Sequence, residues 1–258
     1  MGSLYSYYDQ STNNLIFHPP NTSPAAFAQL KVMTGVCTYV TDLEAPCFIF
    51  HPNQNMDKTK CIVFAHGNGC DIYTMYDFIR RLSGDLGIDV LIFDYPGYGL
   101  ARDKTPTEQG CYDSIKQVVG YAKTKYAEVT LIGHSLGTGV VMDYAAEFDW
   151  KSPLILISPY KSMGRILSDN PSCSVVKSID KFGTWYKLEK IVGPVKIFHG
   201  NVDTLISISH AKDLFESLRH QGIEPTWLEG IGHNDILDAI ITNHMPEISR
   251  VMNFRGDQ

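Results

Sequence analysis

The 258-residue chain carries 22 Lys and Arg against 28 Asp and Glu, a net charge of −6. That balance, with no run of basic residues, excludes an electrostatic nucleic-acid surface. At 44% hydrophobic and 19% charged residues, the composition is that of a globular protein able to bury a site and keep water from it. The expectation is a single domain over residues 1–258.

Residues 1–30 read as an N-terminal extension. They contain no Lys or Arg, and Leu15-Ile16-Phe17 is too short an apolar run for a secretory signal. Met1-Gly2-Ser3-Leu4-Tyr5-Ser6 fits the M-G-x-x-x-[ST] pattern for myristoylation of Gly2. A chance match is the preferred reading, because one acyl chain anchors only marginally and no basic residue precedes Lys31. The expected location is the cytoplasm, with weak peripheral membrane association through Gly2 as the alternative. Six scattered cysteines without a C-x-x-C pair are expected as reduced thiols, mostly buried.

Residues 34–39 and 46–51 read as strands joined by a polar turn. The β-rich run 61–65 ends in His66-Gly67-Asn68-Gly69, and Met75, Phe78, Ile79 and Leu82 mark a helix over 71–86 with Asp71 capping its start. Strand 90–93 leads into Asp94-Tyr95-Pro96-Gly97-Tyr98-Gly99. Helix 108–126, strand 129–132, helix 135–147 and strand 154–157 follow. Residues 158–194 are the expected place for a short lid; then come strand 195–199, helix 209–220, strand 226–228 and one final helix over 235–252. Continuous apolar strands alternating with helices predict an α/β fold: a mostly parallel central sheet with helices on both faces. In such sheets ligands sit beyond the carboxyl ends of the strands.

The chemistry falls at those ends. Gly133-His134-Ser135-Leu136-Gly137 is a G-x-S-x-G between a strand and a helix, the context of a nucleophile elbow. A serine hydroxyl needs a histidine base oriented by a carboxylate. Asp203, after strand 195–199, and His233, after strand 226–228, follow Ser135 in the order this fold uses. Catalytic Ser135, Asp203 and His233 are therefore expected. The backbone N–H groups of Leu136 and Asn68 should form the oxyanion hole. His66 reads as support for its loop, and Asp235 as the cap of the last helix. In the lid region, Tyr160, Met163 and Trp185 are candidates for an apolar substrate pocket. Neither metal-ligand spacing nor a cofactor fingerprint occurs, so no metal and no cofactor are expected.

These motifs, with Asp71, Ser158-Pro159, His199-Gly200 before Asp203 and the run Glu229-Gly230-Ile231-Gly232-His233-Asn234-Asp235, resemble the α/β-hydrolase superfamily over roughly residues 35–250. Within it the chain is similar to the Bem46-like, alpha/beta-hydrolase-domain-17-like serine hydrolases. The resemblance implies the α/β-hydrolase fold and a carboxylic ester or thioester substrate, since relatives cleave acyl thioesters of palmitoylated proteins and neighbouring groups cleave lipid esters. The cysteine-rich N-terminus of the depalmitoylating members has no counterpart here, so ester and thioester both stay open. Two alternatives are a serine aminopeptidase-like peptidase on the same fold and a catalytically inactive binding module.

Overall fold

The computed structural model describes residues 13, 15–54, 57–168, 180–218 and 222–254. Gly2, Cys173 and residues 169–179 of the expected lid lie outside them. Eight strands form one sheet: β1 (Cys37–Val40), β2 (Cys47–Phe50), β3 (Lys60–Ala65), β4 (Asp89–Phe93), β5 (Glu128–His134), β6 (Leu154–Ile157), β7 (Val195–Gly200) and β8 (Gly222–Leu228). Their spatial order is β1-β2-β4-β3-β5-β6-β7-β8. The pairs β1–β2 and β2–β4 are antiparallel and all others parallel.

Side chains alternate across a strand, so each apolar strand feeds two cores. Cys61, Val63, Leu91, Leu131, Leu154 and Leu156 face one core; Ile62, Phe64, Ile92, Ile132, Ile155 and Ile157 face the other. Against the first pack α3 (Glu108–Lys125), α4 (Leu136–Glu147) and α6 (Ile208–Ser217); α5 is the short helix Met163–Leu167. Against the second pack α1 (Pro24–Val32), α2 (Tyr76–Leu86), α7 (Ile236–Asn243) and α8 (Met245–Met252). The N-terminal extension thus contributes a helix of its own, α1, capped by Ser23 and anchored by buried Phe27 and Leu30.

Four local expectations need correction. Helix α2 starts at Tyr76, because Asp71 and Thr74 close a reciprocal turn instead: Thr74 N–H donates to Asp71 Oδ1 and Asp71 N–H to Thr74 Oγ1, both at 2.8 Å. The final helix is two helices, since Pro246 lacks an N–H and favours a fresh start. Asp235 precedes α7 without a side-chain capping bond. Strand β8 runs back to Gly222 despite Pro225, which is tolerated because β8 is an edge strand paired only with β7. Among the described residues no helix is long and apolar enough to cross a membrane.

Candidate active site

Strand β5 ends at His134 and α4 begins at Leu136, leaving Ser135 alone in the turn. Its φ of 51° and ψ of −118° are strained for a residue with a Cβ. The strain is held by a 2.9 Å hydrogen bond from Ser135 N–H to Ile157 O and by close backbone packing. A Cβ on Gly137 would stand 2.0 Å from Ala65 O, and one on Gly133 would stand 2.5 Å from Gly137 O. Only glycine permits this approach, which is why the motif spaces glycines two residues either side of the serine.

Asp203 lies beyond β7 and His233 beyond β8, and the structure brings both to Ser135. His233 Nδ1 is 2.7 Å from Asp203 Oδ2, and His233 Nε2 is 3.1 Å from Ser135 Oγ. A carboxylate only accepts, so Nδ1 carries the ring proton and Nε2 presents its lone pair to the serine hydroxyl. Asp203 Oδ1 accepts the N–H groups of Leu205 and Ile206 at 2.9 and 2.8 Å, fixing the carboxylate plane. Burial pushes the Asp203 carboxyl up, but hydrogen bonds from His233 and Ile206 and the nearby imidazoles outweigh it and hold the group below the usual range.

Two further histidines flank this line. His134 stacks on His233, ring centroids 5.6 Å apart and planes 29° apart. Burial and the proximity of His233 push its pKa down to about 3, so it is a neutral ring. His199 donates Nε2–H to Ile206 O at 2.9 Å and lies 3.5 Å from Asp203 Oδ2; burial lowers its pKa too. In the sequence His199 stands out only as part of the His199-Gly200 run before Asp203, and His134 only as a member of its motif. Position 134 is the variable residue of its motif, and only its place under His233 marks it.

The loop after β3 is pressed against the elbow: a Cβ on Gly67 would lie 3.5 Å from Ser135 Cβ and 3.0 Å from His134 Nδ1. Beneath it sits a buried polar cluster. His66 accepts no charge there, since burial lowers its pKa to about 4. Its ring lies tilted by 40° against Tyr95, whose hydroxyl donates to His66 O at 2.9 Å. Asp94 is fully buried, with Oδ1 accepting Ile72 N–H and Oδ2 accepting Leu100 N–H, both at 2.9 Å. Burial raises its pKa to about 7 against the pull of those two donors. Asp94 and Tyr95 join His66 beneath the loop, and Tyr98 reaches it through its hydroxyl bond to Asn68 Oδ1.

Asn68, expected to offer its N–H, also uses its side chain. Its Nδ2 donates to Ile16 O at 2.6 Å, and its Oδ1 accepts His18 N–H at 3.0 Å and the Tyr98 hydroxyl at 2.5 Å. Of the three pocket candidates, Tyr160 is fully buried and donates its hydroxyl to Leu136 O at 3.2 Å, so it braces the start of α4 from below. Met163 and Trp185 are partly buried against the core, with Lys161 Nζ 5.7 Å over the Trp185 ring. Among the described residues no cluster of His, Cys, Asp or Glu is placed to hold a metal ion.

Comparison with known proteins agrees with this architecture. The family model described as the alpha/beta hydrolase family matches residues 62–229. An alpha/beta hydrolase of Acanthamoeba polyphaga mimivirus is 41% identical over 255 residues, 95% of either chain. The human alpha/beta hydrolase domain-containing protein 17B is 35% identical over 194 residues, which span 74% of this chain and 65% of the human one. Among solved structures, an esterase of Pyrococcus furiosus superposes with a TM-score of 0.67 over 92% of this chain and 97% of its own, at 18% identity, a likeness of fold alone.

Proposed function

Because the chain belongs to the alpha/beta hydrolase family, we propose that it is a serine hydrolase cleaving carboxylic esters or thioesters through an acyl-enzyme. The observation that carries this reading is the unbroken hydrogen-bond line from Asp203 through His233 to Ser135. Ser135 Oγ attacks the acyl carbon while His233 Nε2 takes its proton. Asp203 stays anionic and stabilises the imidazolium without accepting that proton. The oxyanion of the tetrahedral intermediate is met by the N–H groups of Leu136 and Asn68, at the positive end of α4. The imidazolium returns its proton to the departing alcohol or thiol. Water then attacks the acyl-enzyme, giving one proton to His233 and releasing the acid as Ser135 recovers its own.

An apolar acyl group suits the surroundings better than a charged peptide, since Phe182, Met163 and Trp185 pack on the same side of the sheet as α4. The thioester and lipid-ester activities of related groups are both compatible with this site. Ser135→Ala should abolish cleavage of p-nitrophenyl acyl esters and labelling by a fluorophosphonate probe. Full activity in that variant refutes the mechanism. A wild type that cleaves aminoacyl amides in preference to esters favours the peptidase reading, and one that neither labels nor turns over favours a binding module.

A further inference from the structure

Residues 15–18 are not a loose tail. Ile16 and Phe17 are buried, and the peptide groups either side of Phe17 are both taken by one side chain: Asn68 Nδ2 donates to Ile16 O and Asn68 Oδ1 accepts from His18 N–H. A primary amide that bonds the carbonyl before a residue and the N–H after it fixes that residue's backbone as a ladder partner would. Lys181 adds a second tether, donating to Asn13 Oδ1 at 2.9 Å. The segment therefore bridges the loop after β3 and the chain at 181–182.

Held this way, the Phe17 ring meets Tyr98 edge-on at 6.4 Å and Phe182 edge-on at 5.9 Å between centroids. Phe182 is itself constrained. Its φ is 52°, its N–H donates to Glu108 Oε1 at 2.6 Å, and its Cβ would be 2.9 Å from a Cβ on Gly139, one turn into α4. A bulky residue kept at positive φ indicates that the surroundings determine its place. The result is an aromatic corner between Asn68 on one side and the start of α4 on the other.

That position has a consequence for an acyl group on Ser135. With its carbonyl oxygen on the proposed Asn68 and Leu136 amides, the acyl carbon sits against the loop whose Asn68 side chain holds Ile16 and His18, so the acyl chain can leave beside Phe17. The geometry points to Phe17 as a specificity-determining residue, clasped by Asn68 so that its ring closes the acyl site and limits the chain length accepted. This rests on the ester-hydrolase reading above. Asn68 acts here as a positioning residue through its side chain, separately from its backbone N–H.

The test is kcat/KM for p-nitrophenyl acetate and p-nitrophenyl decanoate in full-length wild type, Phe17→Ala, Phe17→Trp and Asn68→Ala, each checked by fluorophosphonate labelling and thermal melting. The decanoate-to-acetate ratio should rise about tenfold or more in Phe17→Ala, the scale at which apolar pockets discriminate chain size. It should fall in Phe17→Trp and rise in Asn68→Ala, mainly through KM for the longer ester. Should Phe17→Ala fail to fold, the other two variants carry the comparison. Ratios within about twofold of wild type in every folded variant overturn the assignment, leaving Phe17 a packing residue. A wild type that neither labels nor cleaves either ester overturns the hydrolase reading, and this one with it.

Discussion

Gly200→Ala is the sharpest probe of how the site is assembled. Gly200 ends β7, and a Cβ there would stand 2.1 Å from Ile231 O, against 3.4 Å or more for an ordinary contact. The carbonyl must therefore retreat by about 1.3 Å, the difference of those two distances. Ile231 O also accepts Val202 N–H at 3.3 Å, so the strain falls on both loops, one carrying Asp203 and the other His233 two residues further on. A displacement of this size breaks a 2.7 Å and a 3.1 Å hydrogen bond in series. Misplacing a reacting group by an ångström costs on the order of 10²-fold in rate, so kcat should fall about 100-fold. The overpacking itself should cost about 1–3 kcal/mol, a melting shift of several degrees that leaves the protein folded at 25 °C. Steady-state hydrolysis of a p-nitrophenyl ester with a parallel melt measures both. A kcat within about threefold of wild type would refute the claim that this contact sets the spacing.

Gly84→Ala and Gly120→Ala supply the opposite case: both lie inside helices with nothing within 4 Å of the new methyl, so each should stabilise by about 0.5–1 kcal/mol and leave kcat unchanged. Asp203→Asn should cut kcat about 10⁴-fold. Its oxygen is claimed by the Leu205 and Ile206 N–H groups, so the amide would donate to His233 Nδ1 and leave the ring proton on Nε2, facing Ser135. Two buried carboxylates should show opposite pH signatures in melting curves. Burial raises Asp94 to about 7, so the native state keeps a proton that the unfolded chain loses above 3.8, and wild type should lose stability relative to Asp94→Asn as pH rises from 4 to 7. Burial also pushes Asp89 up, but bonds from His51 and Tyr126 win and lower it; its contribution is present above 3.8 and lost as pH falls through its folded value, so the deficit of Asp89→Asn should shrink in acid.

The parts of this site that were legible in the sequence share one property: their cause is local. Strand, turn and helix around Ser135 follow from contiguous residues, and the glycines at 133 and 137 are explained by contacts within the same turn and with β3. Asp203 and His233 were readable because each follows a short apolar strand in a fixed chain order. The sheet was readable because its inner strands are apolar on both faces. What escaped depends on residues far apart. The clasp of Asn68 on Ile16 and His18 spans about fifty positions, and nothing in Leu15-Ile16-Phe17 says which loop it will meet. Tyr160 sits in a region expected to face a pocket, yet its hydroxyl finds Leu136 O inside the molecule. Pro246 was a visible helix breaker, and reading through it gave one helix where there are two.

Burial and hydrogen bonding set His233, the proposed base, apart from three neighbouring histidines. His66, His134 and His199 all lie within the site or directly beneath it, and desolvation lowers the pKa of each, to about 4 for His66 and about 3 for His134. An imidazolium there would lose its hydration without a carboxylate bonded to it: both ring nitrogens of His134 and Nε2 of His66 have no hydrogen-bond partner, and His199 Nε2–H is spent on Ile206 O. His233 alone among the four has a carboxylate at 2.7 Å that is anchored by two backbone donors. In the proposed mechanism a proton leaving Ser135 goes to the ring with a hydrogen-bonded carboxylate, whereas Asp203 stands 3.5 Å from His199 Nε2 and Asp94 stands 3.9 Å from His66 Nε2.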